Sequence, residues 1–133
     1  EMGDRDTVIP IPAIADDEGR LAAFTEALIA SVEQHRGAPR RPAATAAWTV
    51  EPQTVLSPRE AFFAANETVT AEAAIGRVSA ELVAPYPPGV PVLAPGELIT
   101  AEALAALREV AADGGRIAYA ADPTLATFQV VTA

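Results

Sequence analysis

The first third of the chain predicts a short strand followed by one amphipathic helix. Residues 7–14 form an apolar run that contains two prolines, which favours an edge or irregular strand because proline lacks an N–H donor. Asp16 or Asp17 can cap a helix that continues to about Arg36 and ends near Gly37. Its apolar side chains recur at helical spacing along one face: Leu21, Phe24, Leu28, Ile29 and Val32.

A segment without hydrophobic periodicity follows this helix. Residues 37–47 contain two prolines, two adjacent arginines and many alanines, a composition typical of a linker between subdomains. Beyond it, Ser57 and Glu60 have the spacing of a capping box, and Pro58 suits the first position of a helix. These residues predict a short helix that runs through Phe63.

The second half of the chain predicts short helices and strands in mixed order. Thr70 starts a short helix that Gly76 ends, and residues 85–91 form a proline-rich turn that only an extended chain can enter. Thr100 can cap a last, amphipathic helix. Two closing strands are expected at residues 116–120 and 126–131. This order indicates an α+β fold, a small mixed domain of short helices and strands, rather than a regularly alternating sheet.

Composition excludes several classes of site. The 133 residues carry a net charge of −9, which argues against a nucleic-acid partner because phosphate binding needs clustered basic residues. The sequence has no cysteine, no lysine and one histidine, His35, so we expect neither thiolate nor Schiff-base chemistry nor a metal site. His35 falls near the end of the first helix, where a structural role is favoured. No apolar run reaches the roughly 18 residues that span a bilayer, so we expect a cytoplasmic protein without a membrane partner.

Few side chains indicate chemistry by themselves. Tyr86 lies among prolines that fix the backbone, so its hydroxyl is either presented to a ligand or buried and satisfied within the fold. Glu97 follows a tight turn, where it could bind a cationic group or favour the N-terminus of the next helix. Glu67 and Glu81 have no visible partner, so a paired-acid glycosidase site has no support. The residues alone indicate an acidic α+β domain without a self-sufficient active site.

Four runs in the second half carry a longer pattern. They are residues 56–64 (Leu-Ser-Pro-Arg-Glu-Ala-Phe-Phe-Ala), 67–69, 74–81 and 85–97 (Pro-Tyr-Pro-Pro-Gly-Val-Pro-Val-Leu-Ala-Pro-Gly-Glu). Together they closely resemble the C-terminal domain of the bacterial ornithine/lysine/arginine decarboxylases that depend on pyridoxal 5′-phosphate. The resemblance implies that residues 55–133 form this domain and residues 37–54 a linker. Residues 1–36 look like the strand-helix end of the α/β wing domain that precedes it.

In such enzymes the cofactor, pyridoxal 5′-phosphate, forms a Schiff base with a lysine of a large upstream domain. The resemblance therefore implies a C-terminal fragment that binds no cofactor, is inactive alone and packs on that upstream domain of the same polypeptide. It would help to close the substrate channel of a homo-oligomeric decarboxylase in polyamine biosynthesis. The resemblance also places Tyr86 and Glu1 around the distal cationic group of the substrate, which is ornithine, lysine or arginine. Glu97, from its own position after the turn, is the third candidate for binding this group.

The start of the sequence adds one expectation. Because Glu1 precedes Met2, we expect a piece of a longer polypeptide, with apolar surfaces that self-associate once their usual partner is missing. The alternative is a stand-alone structural or assembly module that uses the same domain.

Overall fold

The computed structural model describes residues 2–3, 7–38 and 46–132. The chain divides into two compact units, Glu1–Pro42 and Ala43–Ala133. In the described residues, helices alternate irregularly with short antiparallel strands, so the predicted α+β class is confirmed. None of the helices in these ranges is long and apolar enough to cross a membrane.

The first unit contains two very short strands and one long helix. Strand β1 (Met2–Gly3) lies antiparallel to β2 (Val8–Ile9). Strand β2 is shorter than the predicted apolar run, because the prolines that follow it cannot donate to a ladder. Helix α1 (Glu18–Gln34) begins where predicted, since the Asp17 side chain accepts a hydrogen bond of 2.8 Å from the backbone N–H of Arg20.

The apolar stripe of α1 is uncovered. No residue of this helix, which the structure describes throughout, is buried. The predicted stripe residues are each at least 38% exposed: Leu21, Phe24, Leu28, Ile29 and Val32. A groove of about 200 Å³ between the proline segment and the start of α1 is likewise lined by exposed residues, except for the half-buried Asp16. Within its described residues, the first unit therefore has an amphipathic helix without a core to cover it.

The second unit carries the remaining elements, in the order that follows. They are a 3₁₀ turn (Ala46–Thr49), α2 (Pro58–Phe63), β3 (Asn66–Thr70), α3 (Ala71–Ala74), β4 (Ala84–Tyr86), α4 (Ala101–Ala112), β5 (Arg116–Ala118) and β6 (Thr127–Val131). Strand β3 pairs with β6, and β4 pairs with β5, both antiparallel. The strands therefore join segments that are distant in sequence.

Local signals located the helices correctly. The side chains of Ser57, Thr70 and Thr100 each accept a hydrogen bond from the backbone N–H three residues later, and Ser57 and Glu60 form the full capping box. Strand β3 was not predicted, because its sequence Asn-Glu-Thr-Val-Thr is mostly polar and its register depends on β6. The bond from the Gln129 side chain to Thr68 spans 61 residues of sequence.

One apolar core fills the second unit. Helix α4 is amphipathic, as predicted, and buries the face that carries Leu104, Leu107 and Val110 against residues from the strands and from the loops between them. The large side chains of this core include Val83, Leu93, Ile99, Leu104, Leu107, Ile117, Leu125, Phe128 and Val130. The second unit therefore has the buried apolar interior that the described part of the first unit lacks.

A buried carboxylate connects three segments of this unit. Glu81 is only 9% exposed, and its two oxygens accept backbone N–H bonds of 2.7 Å from Ala121 and from Gln129 in β6. The fully buried hydroxyl of Ser79 donates to the Glu81 carbonyl and accepts from the Glu81 N–H. Every buried side-chain nitrogen or oxygen in the described residues has a hydrogen-bond partner. Glu81 thus joins the start of β4 to the far end of the sequence.

Gly96 lies directly against the backbone of Leu56 and Ser57. Its φ of +92° lies in the left-handed region, and its carbonyl accepts the N–H groups of both Val55 and Leu56. A β-carbon added at Gly96 would overlap the carbonyl oxygen of Leu56. The turn before Glu97 therefore requires glycine for two reasons, backbone conformation and space.

Asp122 organises the turn that leads into β6. Its two oxygens accept hydrogen bonds from the hydroxyls and backbone N–H groups of Thr124 and Thr127. The bond from the Thr124 hydroxyl is the main reason that the pKa of Asp122 falls from its ordinary value of 3.8 to about 2. The charged form of Asp122 is therefore the one that holds this turn.

Replacing Gly96 by alanine should destabilise the second unit by roughly 3 kcal/mol or more, because a left-handed φ and a backbone clash add together. Gly114 is the matched control, since its φ is +89° but a β-carbon there would meet no atom within 4 Å. Gly114→Ala should therefore cost only about 1 kcal/mol. Urea unfolding followed by circular dichroism measures both, and equal losses would contradict the proposed clash with Leu56.

The stabilising effect of Asp122 should depend on pH. Because its pKa is lowered on folding, its contribution is complete above about pH 4 and is lost as the pH falls towards 2. Asp122→Asn should lower the urea midpoint at pH 6, and the difference from the parent chain should shrink steadily between pH 4 and pH 2. A difference that stays constant down to pH 2 would show that the charge of Asp122 does not stabilise the turn.

Candidate functional site

Tyr86 lies at the end of β4, where it is the most accessible of the predicted site residues whose positions are described. It pairs in register with Arg116 of β5, and the guanidinium carbon lies 5.2 Å from the centre of the tyrosine ring. The tyrosine is 39% exposed, whereas Pro85 beside it is fully buried. The alternative of a buried and satisfied Tyr86 is therefore wrong, because its side chain reaches solvent at the edge of the two-stranded sheet.

The proline segment after Tyr86 is held at both ends. The N–H of Gly89 donates to Pro85 over 3.0 Å and closes the turn. Farther along, Val83 and Leu93 are joined by backbone hydrogen bonds. The indole N–H of Trp48 donates to the carbonyl of Val90 over 3.2 Å. The backbone around Tyr86 is thus fixed by several contacts outside its own strand. This agrees with the rigid backbone that the prolines predicted.

The side chain of Glu97 takes part in the turn that precedes it. Its side chain accepts a bond of 2.8 Å from the N–H of Ala94, and its backbone carbonyl accepts from Ser79. Helix α4 begins only at Ala101 and is capped by Thr100. The carboxylate therefore stabilises the turn around Gly96 instead of the N-terminus of the helix, which was one of the two interpretations of this residue.

The other polar residues singled out in the sequence have structural partners. Glu67 forms an ion pair with Arg77, with 2.7 Å between the charged atoms, and Glu81 binds the two backbone amides described above. His35 follows α1 as its C-cap, and its ring nitrogen lies 2.9 Å from the carbonyl oxygen of Ser31. Neither glutamate is paired with a second carboxylate in these contacts, so they do not form a two-acid site.

Tyr86 and Glu97 have different bonding partners in the fold. The hydrogen bonds and strand pairings described for Tyr86 involve β5 and the proline turn, whereas those of Glu97 involve Ser79 and the loop before it. Glu1 lies outside the described residues. Arg116 was missed by the sequence interpretation, because only the register of β4 against β5 brings it over the ring of Tyr86.

The hydroxyl group of Tyr86, on a backbone held in place, can bind a polar group of a ligand. A tyrosine hydroxyl can donate one hydrogen bond and accept others, so it can bind an ammonium or guanidinium group through its oxygen. Arg116 already lies over one ring face, where a second cation would be repelled. A cationic ligand would therefore have to approach the hydroxyl of Tyr86 and not this face of the ring.

Comparison with known proteins shows that the chain resembles decarboxylases over much of its length. The sequence model of the family "Orn/Lys/Arg decarboxylase, C-terminal domain" matches residues 42–112, just over half of the chain. An arginine decarboxylase of Halalkalibacterium halodurans is 34% identical over 133 residues, which cover 98% of this chain and 27% of the relative. An arginine decarboxylase of Bacillus anthracis is 40% identical over 80 residues, which cover 60% and 16%.

A solved structure shows the same likeness. The lysine decarboxylase of Francisella novicida superimposes with a TM-score of 0.50 at 28% identity, over 65% of this chain and 14% of that one. This chain thus spans about a quarter or less of the length of the decarboxylases it matches. Because the family model matches more than half of its residues, the chain belongs to the Orn/Lys/Arg decarboxylase C-terminal domain family.

Proposed function

We propose that this chain is the C-terminal part of a decarboxylase that depends on pyridoxal 5′-phosphate and removes the α-carboxyl group of ornithine, lysine or arginine. The observation that carries the proposal is the family match over residues 42–112, which includes the Tyr86 segment. The relatives named above are arginine and lysine decarboxylases. In this proposal the chain helps to close the substrate channel and the oligomer, and it is not catalytic by itself.

The proposed domain division follows the two compact units. Residues 1–36 are assigned to the end of a preceding wing domain, residues 37–54 to a linker and residues 55–133 to the C-terminal domain. The boundary between the units at residues 42 and 43 falls inside that linker, which supports the division. The exposed apolar stripe of α1 supports it as well, because a helix from a divided domain lacks the partners that would cover it.

The residues of this chain do not fit a site for pyridoxal 5′-phosphate. The cofactor is bound covalently through a lysine, and the sequence contains none. We therefore assign the cofactor to the preceding part of the polypeptide. The proposed partners are that cofactor-binding domain and further copies of the same polypeptide, in a cytoplasmic enzyme that supplies polyamines or their precursors.

The proposed role of Tyr86 is to contact the distal cationic group of the substrate. Its exposure supports this role, as does the fixed backbone around it, because a pre-ordered side chain loses little freedom when a ligand binds. Glu97 and Glu1 are proposed to supply the opposite charge. Glu97 would have to stabilise its turn and bind the ligand at the same time, which the two oxygens of a carboxylate allow.

The proposed activity predicts a difference between two forms of the protein. The full polypeptide that contains this chain should show the absorbance band of a Schiff base and release carbon dioxide from at least one basic amino acid. The 133-residue chain should show neither, because it lacks a lysine. A full polypeptide without either property would favour the alternative, a structural or assembly module that uses the same domain.

Tyr86→Phe in the full polypeptide should raise KM for the basic substrate about 3- to 10-fold, because the substrate would lose one hydrogen bond. Tyr119→Phe is the matched control, because Tyr119 is 71% exposed and follows β5 in the same unit. It should leave the kinetics unchanged. Steady-state kinetics with ornithine, lysine and arginine measure both variants, and an unchanged KM in Tyr86→Phe for all three substrates would remove the proposed role of Tyr86.

A further inference from the structure

Helix α2 presents two large aromatic side chains to solvent. Phe62 is 65% exposed and Phe63 is 71% exposed, and their rings meet edge to face with centres 5.2 Å apart. The guanidinium group of Arg59 lies over Phe63, also at 5.2 Å, and Val55, three residues before the start of α2, is 56% exposed. These four residues are called the α2 aromatic surface here.

This surface is held in place by the fold. The capping box of Ser57 and Glu60 fixes the start of α2, and Ala61, between the exposed residues, is completely buried. The backbone before the helix is bonded to the carbonyl of Gly96 through the N–H groups of Val55 and Leu56. The aromatic rings are therefore exposed on a fixed helix, which is the arrangement that anchors a docking interface.

Resting on the proposed function, we propose that the α2 aromatic surface docks onto the preceding part of the same polypeptide. This chain accounts for 27% of the H. halodurans relative, so nearly three-quarters of that protein lies outside the match and offers a partner surface. The inferred partner is an apolar pocket that receives the two phenylalanines, with a carboxylate at its rim for Arg59.

The charge of the surface argues against a second copy as the occupant. In a twofold contact between two α2 aromatic surfaces, the facing surface would carry the same four residues and therefore no carboxylate to pair with Arg59. The net charge of −9 on each chain adds long-range repulsion between copies. A different surface that carries acidic residues beside apolar ones meets neither obstacle.

Hydroxyl-radical footprinting with mass spectrometry tests the proposal. Phe62 and Phe63 should be labelled readily in the 133-residue chain, and severalfold more slowly in the full polypeptide at every protein concentration. Phe128, which is 2% exposed, is the protected reference in both forms. Equal labelling in both forms would overturn the proposal. Protection that grows with concentration, in the short chain as well, would overturn it in favour of a second copy.

A double variant gives an independent readout. Replacing both phenylalanines (Phe62→Ser with Phe63→Ser) should lower the unfolding temperature of the full polypeptide by several degrees but leave that of the 133-residue chain almost unchanged, since the rings make their proposed contact only in the former. Ile75→Ser is the matched control, because Ile75 is also an exposed apolar residue of this unit. Equal losses of both variants in the full polypeptide would contradict the docking.

The two proposals fail in different ways. Protected phenylalanines in a full polypeptide that releases no carbon dioxide would keep the docking surface and remove the decarboxylase function. Freely labelled phenylalanines in an active decarboxylase would remove the docking surface alone.

Discussion

The second unit depends on the buried carboxylate of Glu81. Its two oxygens satisfy the backbone N–H groups of Ala121 and Gln129, which belong to the turn before β6 and to β6 itself. Without this side chain, two partly buried backbone N–H groups would lose their partner, and an N–H that is left unpaired away from water is costly. Because Glu81 comes just before β4, the same interaction fixes the direction in which the chain approaches Tyr86.

Around Glu81 the backbone works as an irregular central strand. Residues 77–83 exchange hydrogen bonds with β6 on one side, through Val78 and Ala80, and with the loop at residues 96–99 on the other. The regular strands in the unit are only three to five residues long. Much of the order in this small fold therefore comes from single backbone bridges between loops, and less from extended sheets.

The sequence predicted what local chemistry determines. The helix starts at Asp17, Ser57, Thr70 and Thr100 follow from side chains that bond within three residues, and all four are observed. Strand β3 and the pairing of Tyr86 with Arg116 depend on registers set by distant segments, so no local pattern could show them. For the same reason Glu67 and Glu81 looked partnerless. The bond from the N–H of Ala94 to Glu97 is local, and the sequence interpretation did not predict it.

Trp48 makes the fluorescence of the chain sensitive to the proline segment. It is the only tryptophan in the sequence, it packs against the core, and its indole N–H is bonded to Val90 four residues after Tyr86. The emission of an indole shifts with its hydrogen bonding and its contact with water. The intrinsic fluorescence of this chain therefore reports on the segment that carries Tyr86, without any label attached to it.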